Sequence, residues 1–209
     1  MTTAPTERPG GYRLVVPPGW HRIDTTEERR VRDVRRIVGE QFAGTDNQPH
    51  LRRQIESSLL DHVARAAEDG ALEIYLSTLR VGAFPLSGSL VVNLVPRPRV
   101  VAELDDADHQ EMLLAAAREA VDGVVDEVRL VTWDDGWAVR RVVHRQAPAG
   151  DDPLGTELGP APTFGVEWYR PIPGGDGATL LLAFSSPLIP IEQELGELFD
   201  TIAGTLAWT

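Results

Sequence analysis

The sequence predicts an α+β fold: an antiparallel β-sheet of about six to seven strands held between α-helices as an α/β/α sandwich. Three observations predict it. The run Thr179 to Phe184, T-L-L-L-A-F, is apolar at both parities, whereas a strand wetted on one side alternates, so both of its faces are expected to be covered. Most strand-like runs are separated by short turns containing Gly, Pro or Asp, the spacing of hairpins and so of antiparallel neighbours. Helical periodicity near the start, in the middle and at the end of the chain supplies helices for both faces. A length of 209 residues fits one domain, over 12–209, after a flexible polar tail over 1–11.

In chain order, Tyr12 to Val16 is a short β-prone run stopped by Pro17-Pro18-Gly19, and Trp20 to Ile23 resumes it. Thr25 with Glu28 three positions on reads as a capping box opening a helix, in which Val31, Val34, Val38 and Phe42 share one face. The opposite face offers the i,i+4 pairs Arg29 with Asp33 and Arg36 with Glu40. Gly44 to Pro49 breaks this helix. A second follows from about His50 to Ala67, and the short polar loop between them predicts an antiparallel pair. Leu72 to Arg80 and Ser89 to Val95 read as hairpin partners, and Asp105-Asp106-Ala107-Asp108 opens a third helix to about Val121. Glu127 to Trp133 and Trp137 to Arg145 spell a hairpin around Asp134-Asp135-Gly136. If Gly136 sits in a three-residue loop with a bulge, Trp133 and Trp137 face each other, a pairing worth about 0.5 to 1 kcal/mol. The segment 147–162, rich in Pro and Gly and without periodicity, reads as a disordered connection or loosely held flap. Phe164 to Pro171 is again a strand. After the last strand, Pro190 fits a first helical turn, and Ile191, Leu195, Leu198, Phe199, Ile202 and Leu206 recur at helical spacing.

Composition bounds the chemistry. With no cysteine, disulfides, thiolate metal sites and cysteine nucleophiles are excluded; with all twenty basic residues arginine, so is lysine chemistry. No stretch approaches the roughly 18 apolar residues of a membrane span, and the polar start has no secretory run, so a cytoplasmic protein is expected. A net charge of -12 disfavours nucleic acid and anionic membranes as partners. The charge is unevenly spread. Residues 1–65 carry eleven Arg against nine acids, and residues 150–209 carry one against nine.

Two stretches carry a family resemblance. Tyr12-Arg-Leu-Val-Val-Pro-Pro-Gly-Trp20 resembles the opening strand and Pro-Gly-Trp turn of Mog1/PsbP-like proteins. Leu181-Leu-Ala-Phe184, through Leu198-Phe199-Asp-Thr-Ile202 to Leu206-Ala-Trp208, is similar to their closing strand and helix. The resemblance implies an antiparallel sheet between helices and mostly non-catalytic roles: a nuclear-transport GTPase regulator, extrinsic photosystem subunits, bacterial lipoproteins, and chaperones that hold secretion effectors. It brings no shared catalytic residue.

Asp105, Asp106, Asp108, His109 and Glu111 are metal-ligand types at close spacing, but the segment lacks the glycine and terminal acid of an EF-hand, and acids at a helix start cap free amides. His144, on a strand, and Ser185 and Ser186, at a strand end, are the other residues able to do chemistry, and no catalytic motif surrounds them. No catalytic, cofactor or metal site is therefore assigned. The expected function is a non-catalytic protein-binding module, a chaperone or adaptor for a secretion or assembly partner, with Arg29, Arg32, Arg36, Trp133 and Trp137 as candidate contact residues. Self-association is the other partner considered. The rival readings are a small-ligand binder or hydrolase with a pocket between sheet and helices, and a structural subunit of a larger assembly.

Overall fold

The computed structural model describes residues 10–41, 49–82, 84–95, 106–119, 123–133, 136–146, 162–174 and 178–209. Expectations for the tail up to residue 9, Phe42, the first interhelical loop, Asp105, the Asp134-Asp135 turn and the segment 147–161 lie outside those residues. Seven strands form one sheet: β2 (Trp20–Ile23), β3 (Ala71–Ser77), β6 (Ser89–Val95), β7 (Val124–Trp133), β8 (Gly136–Arg145), β9 (Thr163–Pro171) and β10 (Thr179–Ser186). Their spatial order is β2-β3-β6-β10-β9-β8-β7, and each neighbouring pair is antiparallel. Two small two-stranded pairs accompany it, β1 (Tyr12–Arg13) with β11 (Ala207–Trp208), and β4 (Arg80–Val81) with β5 (Phe84–Pro85). Four helices complete the fold: α1 (Glu27–Gln41), α2 (Pro49–Glu68), α3 (Asp106–Arg118) and α4 (Glu192–Gly204).

The doubly apolar strand is the fourth of the seven, with antiparallel neighbours on both sides. Its two parities meet different surroundings. Leu180, Leu182 and Phe184 point to the face roofed by α4 and share one core with Leu195, Phe199, Ile202 and Leu206 of the helix end. Phe199 lies parallel to Phe184 at 4.9 Å and to Phe164 at 5.8 Å, and Trp20 meets Phe184 and Phe199 edge-on. Leu181 and Ala183, on the other parity, are only half-buried. On that side α1 and α2 pack on β2 and β3, while α3 packs on β7 and β8, so the second helical layer is split over the two ends of the sheet. The α1–α2 end closes over a second core of Ile23, Val34, Ile37, Val38, Val63, Ala71 and Ile74.

Three local readings are corrected. Helix α1 starts at Glu27, and the turn before it is ordered by Asp24, whose Oδ1 accepts from the Thr26 amide at 2.8 Å and the Thr26 hydroxyl at 2.6 Å, rather than by a Thr25–Glu28 box. That turn also redirects the ion pairs: Arg29 reaches Asp24 at 3.4 Å, and Asp33 accepts from the Asp24 amide, while Arg36–Glu40 forms at 3.2 Å as expected. The β7–β8 register sets Trp133 opposite Gly136 and Trp137 opposite Thr132, so only two residues separate the strands. A one-residue difference in register inverts the side a residue faces, and the two tryptophans stand on opposite faces.

Truncating the central ring tests this packing. Phe199→Ala should cost about 3 to 5 kcal/mol in urea denaturation, with the native fold retained.

Candidate functional site

Between the start of α4 and the β7–β9 half of the sheet lies a cleft of about 260 Å3. Its floor is Val142, Phe164 and Val166, and its walls carry Asp126, Arg140, His144, Glu192, Glu197 and Asp200. The local sequence builds it in two ways. A bulge in β7 lets Asp126 and Glu127 stand where a regular strand offers one residue, since Val125 pairs Val143 and Glu127 already pairs Val142. Two consecutive carboxylates thus reach the same side of the sheet: Asp126 to His144 at 2.5 Å and Glu127 to Arg140 at 2.9 Å. On α4, Glu192, Gly196 and Asp200 repeat every fourth residue and share the ridge above the sheet. A side chain begun at Gly196 would meet nothing within 4 Å, so the gap under the helix exists because this position is glycine.

The polar groups of the cleft are heavily paired. The His144 ring donates through Nδ1 to Asp126 and through Nε2 to Glu192 at 2.6 Å, tying β8 to both β7 and α4. The Glu192 hydrogen bond first, and then the nearby Asp126 charge, raise the imidazole above its ordinary range against the opposing effect of burial. With a carboxylate at hydrogen-bond distance from each nitrogen, both ring nitrogens are engaged within the protein. Arg140, buried at 6% exposure, donates Nε to Asp200 at 2.8 Å, and the Trp168 indole donates to the same oxygen at 3.1 Å. Glu197 alone among the lining carboxylates has no ion pair within the described residues.

On the opposite face, between the two helical groups, Glu167 is buried at 4% exposure. It accepts from Arg141 at 2.6 Å, from the Tyr169 hydroxyl at 2.5 Å and from Arg145. Burial by itself would raise this carboxyl; the hydrogen bonds from Arg141, Tyr169 and Arg145 outweigh it and hold the group below the ordinary carboxylate range. Arg141 also donates to the Ala117 carbonyl in the last turn of α3 and to the Glu119 carbonyl just beyond it, so the cluster fastens that helix to the sheet.

The residues singled out from sequence are dispersed. Arg29, Arg32 and Arg36 lie exposed on α1, over the β2 end of the sheet, in ion pairs with Asp24, Asp33 and Glu40. Trp133 and Trp137 belong to the hairpin at the opposite edge. Trp133 lies against Trp168 at 5.4 Å with Arg170 over its ring, and Trp137 meets His109 edge-on at 5.2 Å. The five therefore form no single surface. Asp106 and Asp108 sit in the first turn of α3, and His109 is buried beside Trp137. Among the described residues no group of three or more His, Asp or Glu could hold a metal ion. Ser186 Oγ donates to the Ser87 carbonyl at 2.7 Å and accepts from the Leu188 amide, an interior role that fixes the strand-to-helix turn. Sequence reading passed over Asp126, Glu192, Gly196, Glu197 and Asp200; adjacent acids in a β-prone run were the available sign of the bulge.

Comparison with solved structures returns a PsbP-like protein. The chain is similar to the cyanobacterial PsbP (CyanoP) from Synechocystis sp. PCC 6803, with a TM-score of 0.41 and 12% sequence identity, over 100% of this chain and 95% of that one. No protein-family model and no curated protein matches the chain. Among the described residues no helix is long and apolar enough to cross a membrane.

Two predictions follow from the two ionic clusters. Because the folded state raises the His144 pKa, its contribution is fully present below the unfolded value of about 6.5 and is lost as pH rises through the folded one. Urea melts should therefore show wild type more stable than His144→Gln at pH 5.5, with the gap narrowing by pH 9; Asp126, Glu192, Glu197, Asp200 and Arg140 are the charges facing the ring. Glu167→Gln leaves the part-buried guanidinium groups of Arg141 and Arg145 without their shared carboxylate and should cost about 1.5 to 3 kcal/mol at neutral pH.

Proposed function

We propose that the protein is a non-catalytic protein-binding module that takes an extended segment of its partner alongside β7, in the manner of a chaperone or adaptor for a secreted or assembled protein. The observation that supports this most directly is the edge itself. Strand β7 is ten residues long, ends the seven-stranded order, and has no strand on its outer side among the described residues. An outer row of backbone donors and acceptors is a template for strand addition, with alternate side chains giving specificity. Val124 at 65% exposure and Leu130 at 36% add apolar contact, while the bulge and the charges of Asp126, Glu127 and Arg129 limit indiscriminate pairing.

The chemistry of the cleft supports binding over turnover. Its lining contains no hydroxyl or thiol nucleophile among the described residues, and its histidine has both nitrogens engaged. A small-ligand reading retains the cleft as its supporting feature, and the two readings differ in whether β7 is covered when the ligand binds.

A photo-crosslinking amino acid placed at Leu130, and separately at Arg32, distinguishes the surfaces. In lysate of the native host, the Leu130 position should give a discrete protein adduct and the Arg32 position none. Adducts only from α1, or none from β7, would reject the edge as the contact surface.

A further inference from the structure

We propose that the cleft under α4 is a socket for a guanidinium or ammonium side chain carried by an extended, basic partner segment, an inference that rests on strand addition at β7. The lining sets four carboxylates, Asp126, Glu192, Glu197 and Asp200, against one guanidinium, Arg140, and one histidine, His144. Both are already engaged: Arg140 with Asp200 and Glu127, His144 with Asp126 and Glu192. The carboxylates therefore outnumber the groups that can balance them, Glu197 has no ion pair among the described residues, and Asp126 and Glu192 are still 49% and 42% exposed. An anionic ligand is repelled, and an uncharged apolar one would strip water from carboxylates without replacing it. A long cationic side chain satisfies both parts of the site. Its alkyl stem covers Val142, Phe164 and Val166 while its head meets the carboxylates.

The geometry joins this socket to the edge strand. The bulge turns Asp126 and Glu127 to the α4 side, so a strand added outside β7 would present every second side chain on that same side, next to Asp126 in the wall of the cleft. Gly196 supplies the depth, since no side chain occupies the space below the helix. The carboxy-terminal region beyond residue 150, with nine acids and one arginine, favours encounter with a cationic segment.

The test uses two blocked β-prone peptides matched to the ten residues of β7, alternating Thr with either Arg or its uncharged isostere citrulline. Isothermal titration should show the Arg peptide binding about ten-fold tighter, an advantage that shrinks as salt is raised. Gly196→Met, which fills the cleft from a position with free space, and Glu197→Gln, which removes its unpaired carboxylate, should each reduce that advantage. Glu194→Gln, outside the lining, should leave it intact. Equal affinity for both peptides, or an Arg advantage undiminished in Gly196→Met, overturns the socket. Amide exchange of β7 separates the two ideas: protection of β7 by both peptides alike keeps strand addition and rejects the socket, whereas cleft-dependent Arg binding without β7 protection rejects strand addition. Should neither peptide bind, titration with agmatine, a small guanidinium amine that needs no strand, decides the socket. Shifts at Gly196 and Phe164 that vanish in Glu197→Gln uphold it, and their absence rejects it.

Discussion

The contact on which the α4 side of the protein depends is the insertion of Phe199 between Phe164 and Phe184. These rings come from three elements, α4, β9 and β10, that are close in the chain and adjacent in space, so a local run of sequence supplies the centre of the sheet. The three rings are the largest fully buried side chains among the described residues. It also fixes the height and angle of α4. Everything polar along that helix, from Glu192 to Asp200, is then placed over the sheet by a contact that is itself apolar.

The cleft is what remains when that contact is satisfied along one ridge of the helix and not along the next. Leu195, Phe199 and Ile202 press on the middle of the sheet, whereas Glu192, Gly196 and Asp200 lie above its β7–β9 half with no bulky apolar side chain to close the distance. Ionic ties span the gap in place of packing. His144 joins β8 to Glu192, and Arg140 joins β8 to Asp200, so the opening has a fixed width. Such ties orient more than they stabilise, because Asp126 and Glu192 stay in contact with water, where ion pairs contribute about 0 to 1 kcal/mol.

Much of the architecture was legible because apolar parity is a strong signal. T-L-L-L-A-F read as an interior strand, and the stripe from Ile191 to Leu206 as a helix packed with it. What sequence could not supply was register. Whether Trp133 and Trp137 face each other turns on one residue in a hairpin loop, and the same chemistry reads equally well either way. The bulge at Asp126 escaped for the same reason: an extra residue within a strand changes which side chains share a face without changing composition. The arginine-rich face of α1 was legible as an ion-paired surface, but the partner of Arg29 was set by the Asp24 turn, a tertiary detail of the preceding loop.

The Glu167 cluster also explains why the second helical layer is split. The middle of that face carries Glu167 with Arg141, Arg145 and Tyr169, on strands whose opposite parity turns Ala138, Val142, Phe164, Val166 and Trp168 to the α4 core and Arg140 and His144 to the cleft. A helix laid across that middle would have to bury these groups without water, and its apolar stripe would gain nothing from them. Leaving the helices at the two ends lets α3 use Arg141 as its carboxy-terminal cap and lets α1 and α2 close a separate apolar core. The face opposite α4 is thus divided by charge, and β7, the edge strand among the described residues, lies at the end where both ionic clusters meet the sheet's last hairpin.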